Sequence, residues 1–391
     1  MGDAFGDNPL QRLATAGQSI WYDNIRRSLL VDGGLAEMMS RDAVTGVTSN
    51  PTIFMKAIAE TTEYDDSIFD LAQQDVDPRQ TLDILMAQDI QMAADILRPA
   101  WERTHGKDGY VSLEVDPALA HQAEGTVAEA HRLAYLVDRP NVMVKVPATT
   151  EGVEAFRRLV AQGACINVTL IFSLERYRQV VEAYISGLEA LAAGLDAGEQ
   201  LPPLSAVASV ASFFVSRVDT LVDAKLDALA AAAAKGDAPA LTQFKRLRGK
   251  AAVANAKLAY QYFLSAFSGP RWEALEARGA RVQRPLWAST STKDPSYRDV
   301  VYAEELIGPQ TVNTMPQVLL DAFRDHGLIA STLSSDVEKA RERLAGLEEA
   351  GINMAAVTAQ LEVEGVKAFA DSFTALADAV AAKYAIAREG G

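Results

Sequence analysis

Residues 141–163 read NVMVKVPATTEGVEAFRRLVAQG. The first part is a strand: Val142, Met143, Val144 and Val146 form an apolar run interrupted by Lys145, and such runs suit a buried parallel sheet. The second part is a helix. Val153, Phe156, Leu159 and Val160 fall on one apolar stripe at helical spacing. Thr149 and Thr150 stand where a hydroxyl caps a first turn, and Gly163 stands where a helix stops. A strand followed at once by an amphipathic helix is the repeating unit of an α/β fold.

The unit recurs along the chain. Strands are expected at SIWYD (19–23), VTGVTS (44–49), YVSLEV (110–115), VMVKV (142–146), CINVTLIF (165–172), LSAVASVAS (204–212), PLWAS (285–289) and TVNTM (311–315), with helical patterns between them. Eight such strands in 391 residues predict a (β/α)8 TIM barrel with appended helices, forming a single domain over 1–391. A doubly wound sheet would usually show a glycine-rich phosphate loop after an early strand, and no G-x-G-x-x-G occurs here.

Two stretches exceed the minimal barrel. Residues 225–283 form a helical insertion with an alanine run (230–234) and a second helix near 251–263. Residues 316–391 read as a helical extension: DVEKARERLAGLEEAG (336–351) ends in a glycine stop, and the pattern over 356–384 suggests a break near Gly365. The extension is expected to pack across the barrel mouth and shape access to it. The basic cluster KRLRGK (245–250) reads as a solvated helix–turn surface.

Composition narrows the function. With 49% hydrophobic and 23% charged residues, the chain has a soluble, globular composition. A net charge of −15 argues against a nucleic-acid surface, and no run approaches a membrane span. The opening MGDAFGDNPLQRLATAG has neither the apolar core nor the basic flank of a signal peptide. The one cysteine, Cys165, excludes an internal disulfide and fits a reducing, cytoplasmic setting. His105, His121, His131 and His326 show no metal-ligand spacing, so no metal site is expected.

Barrel enzymes carry their chemistry at the C-terminal ends of strands. Here those ends hold Asp23, Asn50, Glu114, Lys145, Asn167, Thr169, Ser212, Arg217, Ser289 and Lys293. Period two turns Val142, Val144 and Val146 to the helix layer and Lys145 inward. Each residue taken singly has a plain reading: a lysine snorkelling to solvent, an Asn-Pro turn, a loop cap. Polar residues recurring at the same end of consecutive strands favour a site.

Burial disfavours a charged amine. A neutral Lys145 could attack a ketone or aldehyde and form a Schiff base, an electron sink for an adjacent carbanion. An ionised Asp23 could take a hydroxyl proton during carbon–carbon cleavage. Glu114 and Thr169 could handle the water and protons of imine formation, and Asn50 and Asn167 could hold hydroxyls. Arg217 and Lys293, with Ser289, could bind a phosphate.

These residues resemble the transaldolase family of Schiff-base barrel enzymes, through most of residues 17–315. GVTSNPTIF (46–54), VSLEVDP (111–117), VMVKVPATTEG (142–152), INVTLIFS (166–173) and SFFVSR (212–217) are similar to its motifs. The resemblance implies Lys145 as Schiff-base nucleophile, Asp23 as acid/base, and Glu114 and Thr169 on the imine water. It implies Asn50 and Asn167 on the dihydroxyacetone unit, Ser212 lining the site and Arg217 on phosphate. The implied reaction transfers dihydroxyacetone from sedoheptulose 7-phosphate or fructose 6-phosphate to an aldose phosphate, in the pentose phosphate pathway. No cofactor is implied, sugar phosphates are the only ligands, and the state is monomer or homodimer. Many members carry Ser-x-Arg after the seventh strand. Here Ser291 stands in the arginine position of STSTK (289–293), which leaves that phosphate contact to Lys293. Two alternatives stay open: an aldolase of the same superfamily that releases free dihydroxyacetone, and a sugar-phosphate-binding barrel without catalysis.

Overall fold

The computed structural model describes residues 8–233 and 238–389. The N-terminal heptapeptide MGDAFGD and Ala234, at the end of the alanine run, lie outside the described residues. Eight parallel strands close into a barrel in sequence order. They are β1 (Gln18–Tyr22), β2 (Val44–Thr48), β3 (Val111–Glu114), β4 (Val142–Pro147), β5 (Ile166–Ile171), β6 (Ser209–Phe214), β7 (Arg284–Ala288) and β8 (Thr311–Met315). β8 closes the ring on β1 through the register Gln18↔Thr311 to Tyr22↔Met315.

The unit around β4 forms as its sequence directs. Thr149 caps the helix Thr150–Ala161 by accepting from the Gly152 N–H, and Phe156, Leu159 and Val160 are buried on its inner stripe. Gly163 follows at φ 86°, the left-handed turn that ends such helices. β4 is buried along its whole length, Lys145 included.

Two expectations are corrected. The sixth strand begins at Ser209, not near Leu204, and runs to Phe214. Leu204–Ala206 is a 3-10 turn entered from Pro203. Small apolar residues suit a strand and a tight turn alike, and pairing with Ile166 on one side and Arg284 on the other decides where the ladder starts. Ser212 is therefore mid-strand. The second correction concerns the tail: Met354–Glu389 is one unbroken 36-residue helix through Gly365. A Cβ at Gly365 would lie 3.0 Å from Leu170 Cδ2, so the glycine serves close helix–barrel packing rather than a break.

That packing places the C-terminal helix over the barrel mouth. It touches β5 and the segments that follow β2, β3 and β6: Pro51–Phe54, Met55–Ala59, Pro117–Leu119 and Ser216–Ala232. The contacts that pin it include Thr52 Oγ1 to Ser372 Oγ at 2.8 Å, Arg176 to Glu362 at 3.3 Å, and Lys383 to Asp65 at 2.6 Å. The inserted helix Ala251–Ala266 packs against Val337–Glu349 of the extension. The KRLRGK cluster exposes Lys245, Arg246 and Lys250, while Arg248 is drawn into ion pairs with Asp227 and Asp294.

Candidate active site

The inward side chains at the C-terminal strand ends open onto a cavity of about 300 Å³. Lys145 lies on its wall, 4% exposed. The ammonium donates to the Ser49 carbonyl at 3.0 Å and lies 3.4 Å from Glu114 Oε2. Strand register produces the second contact, because Glu114 and Lys145 are partners across β3 and β4. Burial pushes the Glu114 carboxyl above its usual range, while the charge and hydrogen bond of Lys145 hold it down in part. The ring of Phe369 faces the same amine, 5.8 Å from Nζ to the ring centre.

Asp23 follows β1 directly and is fixed by its backbone N–H on the Met315 carbonyl at 2.9 Å. Its carboxylate accepts from Thr48 Oγ1 at 2.7 Å. Burial raises its pKa, and the Thr48 hydrogen bond and the charges of Lys145 and Lys293 oppose that rise. Thr169 faces the cavity from β5, its hydroxyl buried with no partner among the described residues. Just beyond it the strand bulges, with Leu170 at φ 61°. Bulges re-aim side chains beside functional sites, and here Leu170 meets Gly365 of the overlying helix.

Eight of the ten candidate residues line this cavity: Asp23, Asn50, Lys145, Thr169, Ser212, Arg217, Ser289 and Lys293. Glu114 and Asn167 stand behind the wall. Asn167 donates to Ser112 Oγ at 3.0 Å and accepts from Ser212 Oγ at 2.7 Å, so its amide is spanned by hydroxyls of β3 and β6. Asn50 also has a structural duty: its side-chain oxygen caps the helix Pro51–Phe54 by accepting from the Ile53 N–H at 3.0 Å.

The opposite wall is cationic. Arg217 is the second residue of the helix Ser216–Ala232, a position where backbone N–H groups and the helix dipole favour anions. Burial lowers its pKa. Lys293 donates to Ser291 Oγ at 3.1 Å, and burial and the nearby Arg217 lower its pKa. Ser289, at φ 56°, shares a hydrogen bond with Ser216 at 2.8 Å and thereby ties β7 to the Arg217 helix. Sequence reasoning missed Lys56 and Phe369, which also line the cavity. Lys56 had a local signal, a lone lysine in the apolar run PTIFMKAIA after Asn50. Phe369 had none, because only the long-range seating of its helix brings it to the mouth.

A sequence model described as Transaldolase/Fructose-6-phosphate aldolase matches residues 20–380. The chain belongs to that family. Similar relatives in the transaldolase family include a protein named Transaldolase from Parafrankia sp. (strain EAN1pec), 51% identical over 95% of this chain and 97% of its own length. Another named Transaldolase, from Thermobifida fusca (strain YX), is 50% identical over 97% of this chain and 99% of its own. Transaldolase 1 of Streptomyces avermitilis is 48% identical over 95% and 94%. The matched span of the transaldolase/aldolase model runs through the C-terminal helix past Phe369. Among the described residues, no helix is long and apolar enough to cross a membrane.

Proposed function

We propose that this protein is a transaldolase, which moves a dihydroxyacetone unit from sedoheptulose 7-phosphate or fructose 6-phosphate to an aldose phosphate. The observation that carries the reading is the buried Lys145–Glu114 pair at one wall of a cavity that also holds Asp23 and a cationic wall. The near full-length similarity to proteins named Transaldolase favours transfer over release of free dihydroxyacetone.

In this reading Lys145 passes a proton to Glu114, 3.4 Å away, and the freed amine attacks the donor's C2 carbonyl. Glu114 and Thr169 pass protons as the carbinolamine loses water to a protonated imine. Ionised Asp23 takes the proton from the C4 hydroxyl, and the C3–C4 bond breaks toward the imine. The departing fragment is glyceraldehyde 3-phosphate from fructose 6-phosphate, or erythrose 4-phosphate from sedoheptulose 7-phosphate. The retained enamine adds to the acceptor aldehyde, Asp23 returns the proton, and water releases the product from Lys145. Asn50 and Ser212 hold donor hydroxyls, Asn167 orients Ser212, and Arg217, Ser289 and Lys293 hold the phosphate. We place the protein in the cytoplasm, in the pentose phosphate pathway, as a single-domain monomer or homodimer.

The test is to incubate the protein with fructose 6-phosphate, reduce with borohydride and map the adduct by mass spectrometry. A reduced three-carbon adduct on Lys145 is expected, with turnover that depends on added erythrose 4-phosphate. No adduct on Lys145 overturns the reading; equal turnover without acceptor replaces it with the aldolase.

A further inference from the structure

We infer that Lys56 is a phosphate-binding residue, forming with Arg217 and Lys293 a three-cation clamp that works without an arginine after β7. The inference rests on the transaldolase reading and adds to it a specificity residue from the segment after β2.

Lys56 sits on a π-helical turn, Met55–Ala59, that continues the helix Pro51–Phe54. Such turns are uncommon and frequent at functional sites. Its neighbours Ala57 and Ile58 are buried, and the C-terminal helix packs on the turn. The backbone beneath the lysine is thus held from both sides, while the side chain is exposed toward the cavity it lines with Arg217 and Lys293.

Among the described residues, basic side chains such as Arg271, Arg278 and Arg324 are paired with carboxylates, in keeping with a net charge of −15. Among the described residues Lys56, Arg217 and Lys293 make no ion pair with a carboxylate. Glu60, four residues on, has the spacing that often captures a lysine. It borders an adjoining cavity of about 380 Å³ with Lys56, yet forms no ion pair with it. Lys293 feels Arg217 and Lys56 as like charges, offset in part by the carboxylate of Asp23. Three cations without an ion-pair partner gathered around one cavity are more favourable once an anion sits among them. A sugar phosphate supplies up to two negative charges and three acceptor oxygens, enough for three donors.

Ser291 faces the cavity but carries no charge, and its hydroxyl is engaged by Lys293. A phosphate held only by Arg217 and Lys293 would be gripped from the β6 and β7 side of the barrel. Lys56 approaches from the β2 side, so the clamp would fix the phosphate from two directions and set the distance to Lys145.

The test compares the full-length parent with Lys56→Met and Lys56→Arg. Inorganic phosphate binding is measured by titration calorimetry, KM for fructose 6-phosphate by turnover, and imine formation by borohydride trapping with dihydroxyacetone, which has no phosphate. Losing one charge-assisted contact should weaken phosphate binding and raise KM by about tenfold to a hundredfold in Lys56→Met. The loss with fructose 6-phosphate should exceed the loss with dihydroxyacetone by at least about tenfold, and Lys56→Arg should recover most of it. Phosphate binding and KM within twofold of the parent would overturn the inference, as would equal losses with both donors. If the parent itself forms no adduct, the transaldolase reading fails, and the calorimetry still decides whether Lys56 binds phosphate.

Discussion

Replacing Lys145 with methionine should do more than stop turnover: it should make stability depend more steeply on pH. The side chains of Lys145 and Glu114 are each 6% exposed and 3.4 Å apart. At an effective dielectric near 20, their attraction at that separation is about 5 kcal/mol. This is an upper figure, because removing the lysine also removes its desolvation cost, and breaking buried pairs typically costs about 3–5 kcal/mol. Burial already holds the Glu114 carboxyl above its usual range, and Lys145 is what opposes that. Without the lysine the folded-state value climbs further. The native state then binds more protons than the unfolded chain above about pH 4.3, so stability falls as pH rises until the folded-state value is passed. Urea unfolding followed by circular dichroism at about pH 5 and about pH 8.5 checks this. The gap between parent and Lys145→Met should approach about 3–5 kcal/mol at the higher pH and shrink by at least half at the lower. The double variant Lys145→Met/Glu114→Gln should recover much of the loss, and any slope in excess of the parent's belongs to Asp23, which also loses a favourable charge. A gap equal at both pH values, or a double variant no more stable than the single, would refute the reasoning.

Asp23→Asn should cut cleavage of fructose 6-phosphate by about a hundredfold to ten-thousandfold while keeping the borohydride adduct with dihydroxyacetone, measured side by side. Because burial raises the Asp23 carboxyl, kcat/KM of the parent should fall on acidification at a pH above the ordinary aspartate value of about 3.9, read from a pH–rate profile. Phe369→Ala removes a ring that is 4% exposed and faces Lys145; it should cost about 3–5 kcal/mol in urea melts and increase the share of donor released as free dihydroxyacetone, assayed without acceptor. Gly365→Leu should lift the C-terminal helix from Leu170, lowering stability by about 1–3 kcal/mol and raising proteolytic sensitivity of the tail in a timed digest.

The barrel was legible because its repeating unit is local. Strand runs such as VMVKV and capped stripes such as Thr149 to Val160 declare themselves within about ten residues, so the order of eight strands needed no long-range information. The inward turn of Lys145 follows from period two and the valines beside it. The sixth strand was less legible, because LSAVASVAS carries no alternation and only its partners in β5 and β7 fix the start at Ser209. Gly365 differs from its local signal for a related reason: a glycine that weakens a helix locally is kept where the barrel comes within 3.0 Å of the added Cβ.

The same division holds at the site. Sequence alone determined which strand ends carry Lys145, Asp23, Glu114 and Thr169, since residue type and strand position are one-dimensional properties. Tertiary structure decided that Glu114 and Asn167 stand behind the wall and that Lys56 joins the cations. It also decided that Phe369, 224 positions after Lys145 in the chain, faces the amine. Those relations depend on strand register and on the seating of a 36-residue helix over the barrel. Both are set by packing between segments far apart in sequence, which no local pattern encodes.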